Sequence, residues 1–96
     1  MKFMGSWQIH EGKIQQAYEV FSKMTPEQDA ADRGQAIKLI GRWHDMASGR
    51  GVLICETDSA DALAKWALNW NGILNSEWVP VVDDNEARTL YKARAK

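Results

Sequence analysis

The stretch that most constrains the fold lies mid-chain. Ile37 to Met46 is β-rich, Ser48, Gly49, Arg50 and Gly51 follow, and the chain returns as Val52, Leu53, Ile54, Cys55 and Glu56. Two such runs joined by so short a glycine-bearing link form an antiparallel hairpin. A hairpin alone is marginal in water, so the flanking segments have to complete its sheet and cover it.

The segments before it do both. Phe3, Trp7 and Ile9 share one parity, with Met4, Ser6, Gln8 and His10 on the other, which is the period-two pattern of a strand over residues 1–9. From Lys13 the apolar residues change to helical spacing: Ile14, Ala17, Tyr18 and Phe21, with Val20 and Met24 widening the stripe. Thr25, Pro26 and Gln28 combine a cap, a proline in the first turn and a glutamine that closes a capping box, so a short second helix starts there and Gly34 ends it. Its polar face reads as a solvated connection.

The segments after the hairpin repeat the pattern. Asp58 is placed to cap a helix whose Leu63, Trp66, Ala67 and Trp70 fall on one side, and Gly72 to end it in the left-handed conformation with Ile73 folded back over Leu68. Glu77 to Val82 reads as a strand, and Pro80 within it assigns that strand to a sheet edge. Asp83 and Glu86 open a last helix with Ala87, Leu90 and Tyr91 on one side; Arg88, Lys92, Arg94 and Lys96 suit its carbonyl end. The order β, α, β, β, α, β is the split βαβ pattern of an α+β, ferredoxin-like sandwich: a four-stranded antiparallel sheet with an extra C-terminal helix, in one domain over residues 1–96.

Both parities of the third and fourth strands carry large apolar groups: Val52 and Ile54 against Leu53 and Cys55, Val79 and Val81 against Trp78 and Val82. One set faces the helices. The other needs a cover, and a second copy of the same sheet supplies it. A chain this size buries only about 65% of its unfolded surface, so self-association adds useful burial. With this element order and these Trp-rich strands, residues 1–84 resemble the dimeric α+β barrel superfamily. The segments Ile40 to His44 and Glu77 to Pro80 look most like one of its families of unassigned function. The resemblance implies a homodimer paired through the sheet, and it brings cofactor-independent monooxygenases and isomerases into view. Haem degradation does not fit, because Trp7 stands where such members place an asparagine and neither main helix carries a histidine.

Twelve basic and thirteen acidic side chains are interspersed without blocks, which argues against a nucleic-acid partner. The absence of a long apolar run argues against a membrane. With Cys55 as the single cysteine, a cytoplasmic setting is expected.

For function, the five tryptophans admit two readings. They enlarge a small core, or Trp7, Trp43, Trp66 and Trp70, with His10 nearby, wall a cleft for an aromatic small molecule. Arg42 and His44, two residues apart on one strand face with Ile40, have the chemistry of an oxyanion partner and a proton shuttle, or of a solvated edge. The expected function is a binding or structural module; the alternative is a cofactor-independent monooxygenase or isomerase acting on an aromatic compound. No cofactor is called for, and no three-ligand metal spacing is present. Arg42 and His44 turned into bulk water, with no cavity of about 300 Å³ beside them, would count against the enzyme.

Overall fold

A computed structural model describes residues 1–94. Lys96, expected in the basic helix end, lies outside the described residues. The elements are β1 (Lys2–Ile9), α1 (Ile14–Ser22), α2 (Pro26–Arg33), β2 (Lys38–Asp45), β3 (Arg50–Glu56), α3 (Ala60–Trp70), β4 (Leu74–Val81) and α4 (Asp84–Arg94). The strands form one sheet in the order β2-β3-β1-β4 with every neighbouring pair antiparallel. This is the ferredoxin-like βαββαβ arrangement, with β1 and β3 central and β4, which carries Pro80, at an edge.

Register sorts the side chains. Phe3, Gly5 and Trp7 of β1 lie opposite Cys55, Leu53 and Gly51 of β3, and opposite Pro80, Trp78 and Ser76 of β4. This face carries the core: Leu53, Cys55, Ile37, Leu63 and Trp66 are buried together, with Phe3, Trp7, Leu39 and Trp78 packed around them. Met4, Val52, Ile54 and Val79 occupy the opposite face.

A bulge in β2 decides which side chains of that strand reach the core. Leu39 pairs with Cys55 and Gly41 with Ile54, so Ile40 is an extra residue in the strand. Simple alternation puts Leu39 with Trp43 and Ile40 with Arg42 and His44. With the bulge, Leu39, Arg42 and His44 all face the helices, and Trp43 turns to the open face, 59% exposed.

Other local expectations change for equally local reasons. The hairpin turn occupies residues 46–49, with Gly49 at φ 68°, and Arg50 and Gly51 already belong to β3. Ser59, not Asp58, caps α3 by accepting from the Ala62 amide, while the Thr57 hydroxyl takes the Ser59 amide. Gly72 has no positive φ; α3 runs out through Asn71 at φ −65°. Val20 lies off the buried stripe and is exposed, whereas Ala17 is buried. Reciprocal capping bonds form at Thr25 with Gln28 and at Asp83 with Glu86.

The last helix stands apart. α4 buries no residue, and Leu90 and Tyr91 are exposed. Its first turn is tied to the sheet through Lys2 and Glu86, 3.1 Å apart. A Cα radius of gyration of 15.4 Å, against about 13 Å for a compact chain of 100 residues, reflects that projection.

Candidate functional site

Tryptophans laid over glycines build the floor of the site. A β-carbon on Gly51 would fall within the Trp7 ring, its cross-strand partner, and one on Gly5 would lie 2.6 Å from the ring of Trp78, also directly across. Each indole therefore lies down against the sheet where a side chain would otherwise stand. On the open face Trp43 covers Gly41 in the same way.

Over this floor, α1 contributes Ala17, Tyr18 and Phe21, and α3 contributes Trp66, Ala67 and Trp70. Between them and the sheet lies a cavity of about 90 Å³, into which Trp7, Arg42, His44 and Ser76 also project. The structure thus brings together Trp7, Arg42, His44, Trp66 and Trp70 of the residues expected from sequence. It separates two others. Trp43 is on the far side of the sheet because of the bulge, and His10, just past β1, sits beside Asn75 with its Nε2 3.2 Å from that residue's Oδ1, away from the cavity.

The polar groups at the wall are already engaged. Arg42 donates from both terminal nitrogens to Asp29, at 3.2 and 2.9 Å, and its guanidinium lies 4.8 Å from the centre of the Phe21 ring. Asp29 also accepts from Arg33, and the Arg42–Asp29 pair is mostly buried, at 17% and 18% side-chain exposure. The expected oxyanion partner therefore arrives with a carboxylate in place.

Asp32, one turn along α2 from Asp29, takes a second set. Its Oδ2 accepts from the indole N–H of Trp66 at 3.1 Å and of Trp70 at 2.8 Å, and its Oδ1 and backbone carbonyl accept from the Asn69 amide. Spacing explains the arrangement: Trp66 and Trp70 are one turn apart on α3, and so present both N–H groups to one oxygen. α2 is no loose connection, because Asp29 ties it to β2 and Asp32 ties it to α3.

His44 lies among three aromatic rings, with centroids 5.5 Å from Trp7, 5.7 Å from Tyr18 and 5.1 Å from Phe21. Its Nδ1 is 3.2 Å from the Tyr18 hydroxyl. Burial lowers the His44 pKa from its ordinary value and the Arg42 charge adds to the effect; burial likewise raises that of Tyr18, helped by Asp45. The pair is a neutral imidazole against a protonated phenol at neutral pH. Tyr18 was readable from sequence only as part of an amphipathic stripe.

The His44 shift has a sign that can be checked. A folded-state pKa below that of the unfolded chain means that the unfolded state takes up the proton first as pH falls. Unfolding free energy is therefore expected to fall with pH below about 6.5, and His44→Gln to flatten that slope. Urea titrations at pH 5, 6, 7 and 8 on both proteins measure it; parallel curves would refute it.

Among the described residues, no group of three or more His, Cys, Asp or Glu side chains is placed to hold a metal ion. No helix of the described chain is long and apolar enough to cross a membrane.

The family model described as Domain of unknown function (DUF3303) matches residues 1–95. The chain belongs to DUF3303. A comparison with curated proteins finds no match for this DUF3303 chain. Among solved structures it is similar to L-rhamnose mutarotase FA22100 from Formosa agariphila, with 11% identity, a TM-score of 0.49, and 86% of this chain and 94% of that one covered. It is also similar to an uncharacterized NIPSNAP domain protein from Burkholderia xenovorans, with 14% identity, a TM-score of 0.49, and 86% and 95% covered. The fold of the DUF3303 chain is read from its own strand order and connections.

Proposed function

We propose that this protein is a cytoplasmic small-molecule-binding module that works as a homodimer paired through its open sheet face. The observation that carries the binding role is the cavity between sheet and helices, walled by Trp7, Trp66, Trp70 and Phe21, with Tyr18 and His44 as its polar side. An apolar recess with a few convergent polar groups is the usual form of a ligand site. At about 90 Å³ it suits a compact ligand.

A second reading, proton-transfer chemistry on an aromatic compound, draws on the Tyr18–His44 contact, since a neutral imidazole hydrogen-bonded to a phenol can accept a proton and pass it on. The cavity is well short of the 300 Å³ size expected for that reading, but Arg42 and His44 face inward, away from bulk water. Binding alone asks less of the site and is preferred. Titrating a panel of single-ring aromatic compounds while following the tryptophan indole N–H signals by NMR tests it. Shifts at Trp7, Trp66 and Trp70 are expected; a panel that moves none of them would exclude a ligand in this cavity.

The dimer rests on the open face, where Trp43, Ile40 and Val79 are 59%, 49% and 42% exposed around Met4, Val52 and Ile54. Sedimentation equilibrium is expected to give a dimer at micromolar concentration and Trp43→Asp a folded monomer. A wild-type monomer at hundreds of micromolar would exclude the pairing.

A further inference from the structure

We propose that the cavity selects for charge: it takes an uncharged molecule with one flat ring and a hydrogen-bonding oxygen, and it rejects carboxylates and ammonium ions of the same size. The inference rests on the cavity being a ligand site and adds the class of ligand.

Two charged side chains line the cavity, and each already meets an opposite charge or a set of donors. Arg42 makes paired bonds to Asp29 and stacks on Phe21. Asp32 accepts from two indoles and the Asn69 amide. A ligand carboxylate next to Arg42 would have to displace Asp29, and a ligand ammonium next to Asp32 would have to compete with Trp66 and Trp70 for its Oδ2. Either ion otherwise gives up its hydration, which the ring faces offset only in part for an ammonium and not at all for a carboxylate.

An uncharged ring meets no such penalty. It lies against Trp7, Trp66, Trp70 and Phe21, and its oxygen finds the Tyr18–His44 pair, which engages Nδ1 of the imidazole and leaves Nε2 for the ligand. Single-ring size follows from the volume: about 90 Å³ is below the roughly 150 Å³ that holds benzene in an engineered apolar cavity. The recess therefore widens as the ring enters, by shifts of the side chains that line it, with the Asp29–Arg42 and Asp32–Trp66 bonds kept.

The test compares benzyl alcohol, benzoate and benzylammonium, followed through the indole N–H signals of uniformly 15N-labelled full-length protein. Benzyl alcohol is expected to shift Trp7, Trp66 and Trp70 and to leave Trp43, on the other sheet face, unmoved; both ions are expected to bind at least tenfold more weakly. Asp29→Asn removes the carboxylate that occupies Arg42, and is expected to raise benzoate affinity at least tenfold while changing that of benzyl alcohol less than twofold. Benzoate or benzylammonium shifting the same three signals at the affinity of benzyl alcohol would overturn the charge selectivity and leave the ligand site standing. If none of the three compounds moves these signals, the site itself is refuted and the selectivity with it.

Discussion

Replacing Asp32 with alanine is expected to lower the free energy of unfolding by about 3 kcal/mol, a large effect for a half-exposed acidic residue on a polar helix. The carboxylate receives the indole N–H groups of Trp66 and Trp70 and the amide of Asn69. Trp66 is only 5% exposed, so its N–H finds no easy substitute in water. An unmet buried donor costs roughly 1 to 3 kcal/mol, and Trp70 and the lost tie to α2 add to it. Lys23 provides the contrast: it pairs with Glu19 at 2.7 Å, but at 73% and 68% side-chain exposure. Lys23→Ala is accordingly expected to cost less than about 0.5 kcal/mol, the range of exposed helical pairs. Urea denaturation of the three proteins measures both values; an Asp32→Ala cost under about 1 kcal/mol would show that the indole bonds are not holding the helices together.

Gly51→Ala is expected to be almost as damaging, at about 2 to 3 kcal/mol, although it adds a single methyl to a strand. Ordinarily alanine is tolerated in a strand at least as well as glycine. Here the methyl would enter the Trp7 ring, whose neighbours are the sheet below and His44, with its ring centroid 5.5 Å away. The indole has to lift off the sheet, into the cavity. The same substitution is therefore expected to abolish benzyl alcohol binding. A smaller residue at position 7 relieves the clash, so Gly51→Ala combined with Trp7→Leu is expected to be more stable than the two single costs predict when added. Strict additivity of the three variants would refute a direct contact as the cause.

How much of this was legible in the sequence depended on whether the information was local. Element order came from patterns that span a few residues: the period-two run at Phe3, Trp7 and Ile9, the capping boxes at Thr25 and Asp83, and Pro80 marking an edge strand. The side-chain faces of β2 did not. One additional residue at Ile40 reverses the parity of everything after it, and Gly41, which allows a bulge, does not by itself say that one forms or where the extra residue falls. For that reason the sequence pattern places Trp43 beside a cleft it cannot reach.

The carboxylates are hidden from sequence for a different reason. Asp29 and Asp32 lie on a helix without apolar residues to bury, so their surroundings read as solvent until Arg42, Trp66 and Trp70 are brought to them from positions 13, 34 and 38 residues away. A signal was present in the one-turn spacing of the two aspartates and of the two tryptophans, but spacing within each helix does not say that the helices meet. Gly5, Gly41 and Gly51 similarly acquire their meaning only from the indole that lies over each of them.

The manner in which α2 is held has a kinetic corollary. Its ties to the sheet and to α3 run through the carboxylates of Asp29 and Asp32, with no buried apolar side chain beneath it. At 17% and 18% side-chain exposure, the Arg42–Asp29 pair is little screened by dissolved electrolyte. Release of α2 from the sheet is thus expected to be insensitive to ionic strength and to quicken only where one of those two carboxylates is replaced.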